Sequence, residues 1–205
     1  MSSVMENLMN SLYRDTVPMS WQRLAWPSQR PLGGWLADLN RRLEQLQLWT
    51  EHPIDIPRTT WLGGLKNPQS FLTAIKQVAA QEDKLELQKL VIFTDILKKN
   101  ADEIDAPAKV GALIHGLFLE GARFNTPSSL IETSKPKELY FAMPAVNCRA
   151  VTVNRLEAGS AYHCPVYKTR ARGAGTFVFS AQLKTKSPPA RWVLAGVALV
   201  LDVGL

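Results

Sequence analysis

A helical first half followed by a small, incomplete antiparallel β-barrel of about six strands is the α+β architecture this 205-residue sequence predicts. Two observations lead there. Before residue 85 the apolar residues recur at helical spacing; after it they fall in short runs punctuated by Gly and Pro. The length suits one large domain or two small sub-domains sharing a core, divided here as a helical sub-domain over 1–84 and a barrel sub-domain over 85–205. Apolar residues make up 46% and charged residues 20%, a balance that builds a core and argues against a disordered chain.

Ser3 to Tyr13 reads as a short helix with Val4, Leu8 and Leu12 on one face. Pro18 suits the first turn of a second, carrying Trp21 and Leu24. The clearest helix runs from Gly34 to Glu51. Leu32, Leu36, Leu39, Leu43 and Leu46 recur at spacings of four and three and form one stripe, with Trp35 and Trp49 beside it. Asp38 and Arg42, four apart on the other side, read as a surface pair. So long a stripe needs either the rest of this chain or an outside surface to cover it. Pro53 and Pro57 end the helix, and Thr59 to Leu62 is a brief extended piece.

The stretch Trp61 to Ala74, WLGGLKNPQSFLTA, superficially resembles a phosphate-binding loop. The signature requires Gly directly before Lys and then Ser or Thr; here Leu65 precedes Lys66 and Asn67 follows it. The dinucleotide fingerprint also fails, because Gly63 and Gly64 are adjacent. Asn67 as N-cap and Pro68 as first helical residue make the segment a helix start instead. That helix carries Phe71, Leu72, Ile75, Val78 and Ala79 and runs to about Gln81.

Strands follow at Glu86–Leu97 and Val110–Phe124, the latter bent at Gly116 and Gly121. Leu139–Val153 is broken by Pro144. Tyr162–Lys168 and Gly175–Lys184 bracket a turn at Thr169 to Ala174. Phe177, Phe179, Ala181 and Leu183 alternate with Thr176, Val178, Ser180 and Gln182 and are assigned to the core. Trp192–Val203 is apolar on both faces, as a central strand is.

No set of residues assembles into a catalytic or metal site. His52, His115 and His163 match no zinc spacing. His163 and Cys164 are strand neighbours that point to opposite faces, and no G-x-S-x-G elbow occurs. The two cysteines fit a reducing compartment. The N-terminus lacks the basic start and apolar block of a secretion signal, and the longest apolar run, Trp192 to Leu201, is too short to span a bilayer as a helix. Net charge is +6, without the density of Lys and Arg that nucleic-acid patches show. The charged group singled out as a candidate docking surface is Lys168, Arg170 and Arg172 at the predicted hairpin tip, with Lys184, Lys186 and Arg191 closing the next strand.

Four segments, WLGGLKNPQSFLTA, HGLFLEGARF (115–124), CPVYKTRARG (164–173) and WVLAGVALVL (192–201), together resemble the C-terminal domain of dynein heavy chains. The resemblance covers nearly the whole sequence and is nearer to outer-arm axonemal than to cytoplasmic dyneins. Lys66 and Lys76 depart from it, standing where relatives often carry an aromatic residue or a methionine. The resemblance implies a non-catalytic module that follows the sixth ATPase module and packs on one face of the motor ring. Residues Ser3 to Tyr13 would form the join, and Met1 would begin a fragment. ATP and magnesium would be bound only upstream, in the ring. The implied partners are the ring modules of the same heavy chain, with microtubules engaged only through the parent motor. No nucleic acid or membrane partner is expected, the fragment is expected to be monomeric, and the implied setting is the axoneme of a cilium or flagellum. The competing reading is a free-standing basic β-barrel that binds nucleic acid or an anionic ligand. It requires exposed aromatics beside Lys168, Arg170 and Arg172 for base stacking and a salt-sensitive affinity.

Overall fold

The computed structural model describes residues 2–26, 28–152, 161–173 and 175–204. The last residue of the expected strand at Leu139–Val153 and Ala174 of the expected turn lie outside them.

The first half is helical where apolar spacing says so. Helix α1 spans Ser3–Tyr13, and the Ser2 hydroxyl accepts from the Met5 amide at 3.4 Å. Helix α2, Met19–Gln22, follows Pro18, and α3 runs from Leu32 to Glu51. After strand β1 (Thr60–Trp61) the backbone turns through a single 3-10 turn at Leu62–Gly64. Helix α4, Pro68–Glu82, then begins as its sequence dictates: the Asn67 side chain accepts from the Ser70 amide at 3.3 Å, and Pro68 fills the first position, where no amide is needed.

The second half supplies β2 (Leu90–Ile96), β3 (Ala112–His115), β4 (Phe118–Glu120), β5 (Arg123–Asn125), β6 (Leu130–Glu132), β7 (Tyr140–Ala142), β8 (Val146–Thr152), β9 (Ala161–Tyr167), β10 (Phe177–Lys184) and β11 (Ala198–Val200). Helix α5, Pro189–Leu194, precedes β11. The expected long strand at Val110–Phe124 is three strands. Its breaks fall at Gly116 and Gly121, whose φ values of +80° and +79° turn the backbone where a side chain would be strained. The expected strand at Trp192–Val203 is part helix, because Pro189 starts α5; β11, further along, is buried along its length at the centre of a sheet.

The α+β class holds, but the barrel does not. The strands form a four-stranded sheet ordered β1-β3-β8-β2, a five-stranded sheet ordered β10-β9-β11-β4-β7, and the hairpin β5-β6. None closes on itself. Two pairings are parallel, β1 with β3 and β11 with β9. The facing edges of β2 and β10 are joined by side chains instead of a backbone ladder. Gln182 Oε1 accepts from the Thr94 amide at 3.0 Å, and Thr94 Oγ1 accepts from the Gln182 amide at 2.8 Å. A seam held this way satisfies both edges locally without fusing the sheets.

One core cluster holds Leu62 and Leu72 from the first half beside Ile114, Leu119, Val166 and Leu199 from the second, so helices and sheets share a core. In β10 a register shift between Phe177 and Phe179 puts Val178 and Phe179 both inside and leaves Phe177 exposed. The strict alternation expected there fails at that bulge.

Candidate docking surface

Helix α3 turns its expected surface pair inward and leaves most of its leucine stripe to be covered from outside. Its buried residues are Trp35, Asp38 and Arg42. Leu36, Leu43, Leu46 and Leu48 are exposed, Leu43 to 54%. The pair assigned to the surface is inside, and most of the leucine stripe is outside.

The buried polar face is held by a cation–aromatic column. Trp21 stacks on Trp35 at 6.0 Å between centroids, and Trp35 lies almost parallel to Trp26 at 5.0 Å. The Arg42 guanidinium sits 3.9 Å from the Trp26 centroid and 5.1 Å from that of Trp61, and Arg41 covers Trp61 at 4.5 Å. A desolvated cation over indole contributes about 2 kcal/mol, and each aromatic pair about 0.5–1.5 kcal/mol. Arg42 Nη1 also donates to the Gly64 carbonyl at 2.7 Å, fixing the α3 face to the glycine corner. Burial lowers the Arg42 pKa to about 10, opposed by Asp38.

Asp38 does not pair with Arg42 four residues on. Its partner is Arg30, whose Nε lies 3.2 Å from Asp38 Oδ2 and 3.1 Å from Asp202 Oδ1. Ser28 Oγ and the Gly204 amide also donate to Asp202, each at 3.0 Å. Arg30 therefore links α3 to the segment after β11. Burial raises the Asp38 pKa; Arg30 opposes the shift and Asp202 adds to it. An acid with a raised folded-state pKa binds more protons folded than unfolded. Its contribution is therefore greatest below the unfolded value, 3.8, and is lost as pH rises through the folded value. The stability of the protein relative to Asp38→Asn, measured by urea unfolding, is expected to fall as pH is raised from about 4 towards neutrality.

Between the cation–aromatic column and the leucine stripe lies an open apolar groove of about 440 Å³, lined by Trp21, Leu24, Trp26, Trp35, Leu39, Arg42, Leu43 and Leu46. Leu24 is 82% exposed at its rim. Helix α1 adds a second apolar surface: none of its residues is buried, and Val4, Met5, Met9, Leu12 and Tyr13 are exposed. Contiguous exposure of this kind marks an interaction surface. No described helix is long and apolar enough to cross a membrane.

Of the basic residues picked from sequence, Arg170 and Arg172 are brought onto one carboxylate, whereas Lys184 pairs with Ala161 at the opposite end of the β9–β10 hairpin. Glu120, at the end of β4, receives both arginines: Arg172 Nη2 donates to Oε2, and Arg170 Nη2 lies 3.3 Å from Oε1. Arg172 Nη1 donates to the Gly196 carbonyl at 2.8 Å, tying the β9–β10 connection to the turn before β11. Arg170 lies over Tyr140 at 5.3 Å. Lys168 is half-buried, and its amide donates to the Thr176 carbonyl at 2.8 Å. Phe177, assigned to the core from sequence, is exposed close by and packs edge-on to Tyr167. His163 is exposed and Cys164 buried, on opposite faces of β9. Cys148 and Cys164 are both buried, and burial pushes both thiols up.

Sequence reasoning misses Trp26, Arg30 and Asp202 in the buried network. A signal exists for the face of α3: Trp35, Asp38 and Arg42 also recur at helical spacing, and an Arg can be buried between indoles.

Residues 1–201 match the family described as the C-terminal domain of the dynein heavy chain. The sequence is 49% identical over 203 residues to the protein named dynein beta chain, flagellar outer arm, of Chlamydomonas reinhardtii, covering 99% of this chain and 4% of that protein. It is 46% identical over 203 residues to human dynein axonemal heavy chain 9, again over 99% of this chain and 4% of the relative. It is 43% identical to the ciliary dynein beta chain of Heliocidaris crassispina, over 97% of this chain and 4% of the relative. The 205 residues thus span about 4% of the length of these relatives.

Proposed function

Because the protein belongs to the family of dynein heavy-chain modules that form the C-terminal domain, we propose that it is a non-catalytic regulatory module that packs its leucine-striped face on the ATPase ring of the same heavy chain. The observation that carries this is the outward-facing leucine stripe of α3. Charged and indole side chains hold its inner face, while Leu36, Leu43, Leu46 and Leu48 face outward. Fully burying a leucine gives about 1.5–3 kcal/mol, so covering what remains exposed of four leucines is a sufficient driving force for docking within one polypeptide. Helix α1, without a buried residue, would join the preceding module. The hairpin tip carrying Lys168, Arg170 and Arg172 would give a secondary polar contact.

In this reading the module restrains ring movement and so alters how ATP turnover becomes force. ATP and magnesium would be held by upstream modules, and microtubules engaged by the parent motor. The relatives' names refer to a flagellar outer arm, an axoneme and cilia, and we infer the same setting for this protein. The basic-module alternative draws less support, since Arg170 and Arg172 share the carboxylate of Glu120. The test is a clean deletion of this region from the parent heavy chain. Stall force, processivity or microtubule-stimulated ATPase rate is expected to change; motility and ATPase both unaltered would contradict the proposal.

A further inference from the structure

The second basic group, Lys184, Lys186 and Arg191, has no part in the docking surface. It surrounds Ser187 in the segment Lys184-Thr185-Lys186-Ser187-Pro188-Pro189-Ala190-Arg191, and we propose that Ser187 is a phosphorylation site for a proline-directed serine kinase. Three observations converge. The Ser187 backbone is fixed: its amide donates to Thr185 Oγ1 at 3.0 Å, Thr185 Oγ1 donates back to the Ser187 carbonyl at 3.2 Å, and Trp192 Nε1 donates to the same hydroxyl at 2.7 Å. The flanking residues Lys186, Pro188, Pro189 and Ala190 are exposed, and Pro188 is extended at φ −56°, ψ 137°. Ser187 itself is half-buried between these exposed neighbours, and a serine followed by an extended proline is the shape a proline-directed kinase groove selects. Finally, a receptor for the product is already placed: Arg191 Nη1 lies 3.3 Å from Ser187 Oγ.

In the reaction Ser187 Oγ attacks the γ-phosphorus of ATP. The new O–P bond forms as the bond to ADP breaks, and the hydroxyl proton passes to the kinase's base. Before reaction Arg191 donates to Oγ and, through Nη2, to Thr133 Oγ1 at 3.2 Å. The phosphate adds close to two negative charges and three strong acceptors. Arg191, already within reach of Oγ, captures it in charge-assisted hydrogen bonds. The modification thereby tightens the junction between the end of β10, α5 and the segment after β6. It also lowers the local charge of the Lys184, Lys186 and Arg191 group from about +3 to about +1.

Thr126–Pro127 is the other Ser/Thr–Pro pair of the sequence and serves as internal control, because no arginine contact to its hydroxyl is present among the described residues. The experiment treats the folded 205-residue protein with a proline-directed kinase and Mg-ATP, follows each site by peptide mass spectrometry, and compares thermal unfolding before and after. The expected result is modification of Ser187 at least about tenfold faster than Thr126, with the midpoint raised by about 2–4 °C. Arg191→Ala is expected to keep the modification and lose the thermal shift; Ser187→Ala loses both. Ser187 that reacts only after denaturation, or no faster than Thr126, overturns the site. A phosphorylated protein whose midpoint is unchanged, or whose shift survives Arg191→Ala, overturns capture by Arg191.

Discussion

Trp61→Ala is expected to lower the stability of the isolated module by about 3–5 kcal/mol, the range for removing a large aromatic side chain from a packed site. Against a total of about 5–15 kcal/mol for a domain, that is a large share of the whole. Trp61 is buried, yet it belongs to the two-residue strand β1, and its effect comes from the number of elements that meet on its ring. Arg41 and Arg42 stack on it from α3. The backbone of Gly116, at the left-handed break between β3 and β4, passes so close that a Cβ there would overlap the indole. Gln45 bonds only the backbone of Trp61, its Oε1 accepting from the amide at 2.8 Å and its Nε2 donating to the carbonyl at 3.2 Å; both bonds survive the substitution and do not offset the cavity. Loss of the indole also leaves Arg42 with one aromatic neighbour in place of two at a site that disfavours its charge. Urea unfolding measures the effect, and a loss below about 1 kcal/mol would show that the column does not hold α3.

Leu43→Glu combined with Leu46→Glu is expected to do the reverse. Both side chains are about half exposed, so the isolated module should change by no more than about 0.5 kcal/mol per site. In the parent heavy chain the same pair of substitutions would place two carboxylates against the surface on which the leucines are proposed to dock. Burying an unpaired charge is far costlier than losing an apolar contact, and the module is expected to undock. The functional consequence should then match that of the deletion. A destabilised isolated module would mean that the stripe packs inward; a stable one with unaltered motor behaviour would mean that nothing covers it.

These two results depend on features that differ in how plainly the sequence displays them. Local features are legible. Asn67 and Pro68 in this order start a helix, and Ser3 to Tyr13 is helical with the predicted ends. Gly116 and Gly121 mark breaks, but periodicity undercounts the strands around them, since a left-handed glycine can end a strand as well as bend it. Topology is not legible. The sheets fail to close because β2 and β10 meet through Thr94 and Gln182, a pairing 88 residues apart that no periodicity encodes. The orientation of α3 escapes the sequence for a different reason. Hydrophobic periodicity locates an apolar face but does not say whether its partner lies in the same fold, and Asp38 and Arg42 look like surface residues until Arg30, Trp26 and Asp202 are placed around them. The basic residues of the candidate site are found by charge alone. Their shared acceptor, Glu120, is not, because it comes from a strand 52 residues before Arg172.

The docking of α3 is tested most directly by a thiol at its centre. Cys148 and Cys164 are fully buried, and burial holds both thiols in the unreactive protonated form, so a cysteine in place of Leu43 would be the reactive group contributed by this module. Leu43→Cys is expected to be alkylated rapidly in the isolated module. In the full heavy chain, labelling at the same position should be slower by an order of magnitude or more, and should become fast again when Leu46→Glu is added. Equal rates in the isolated module and the full heavy chain would contradict the docking of α3.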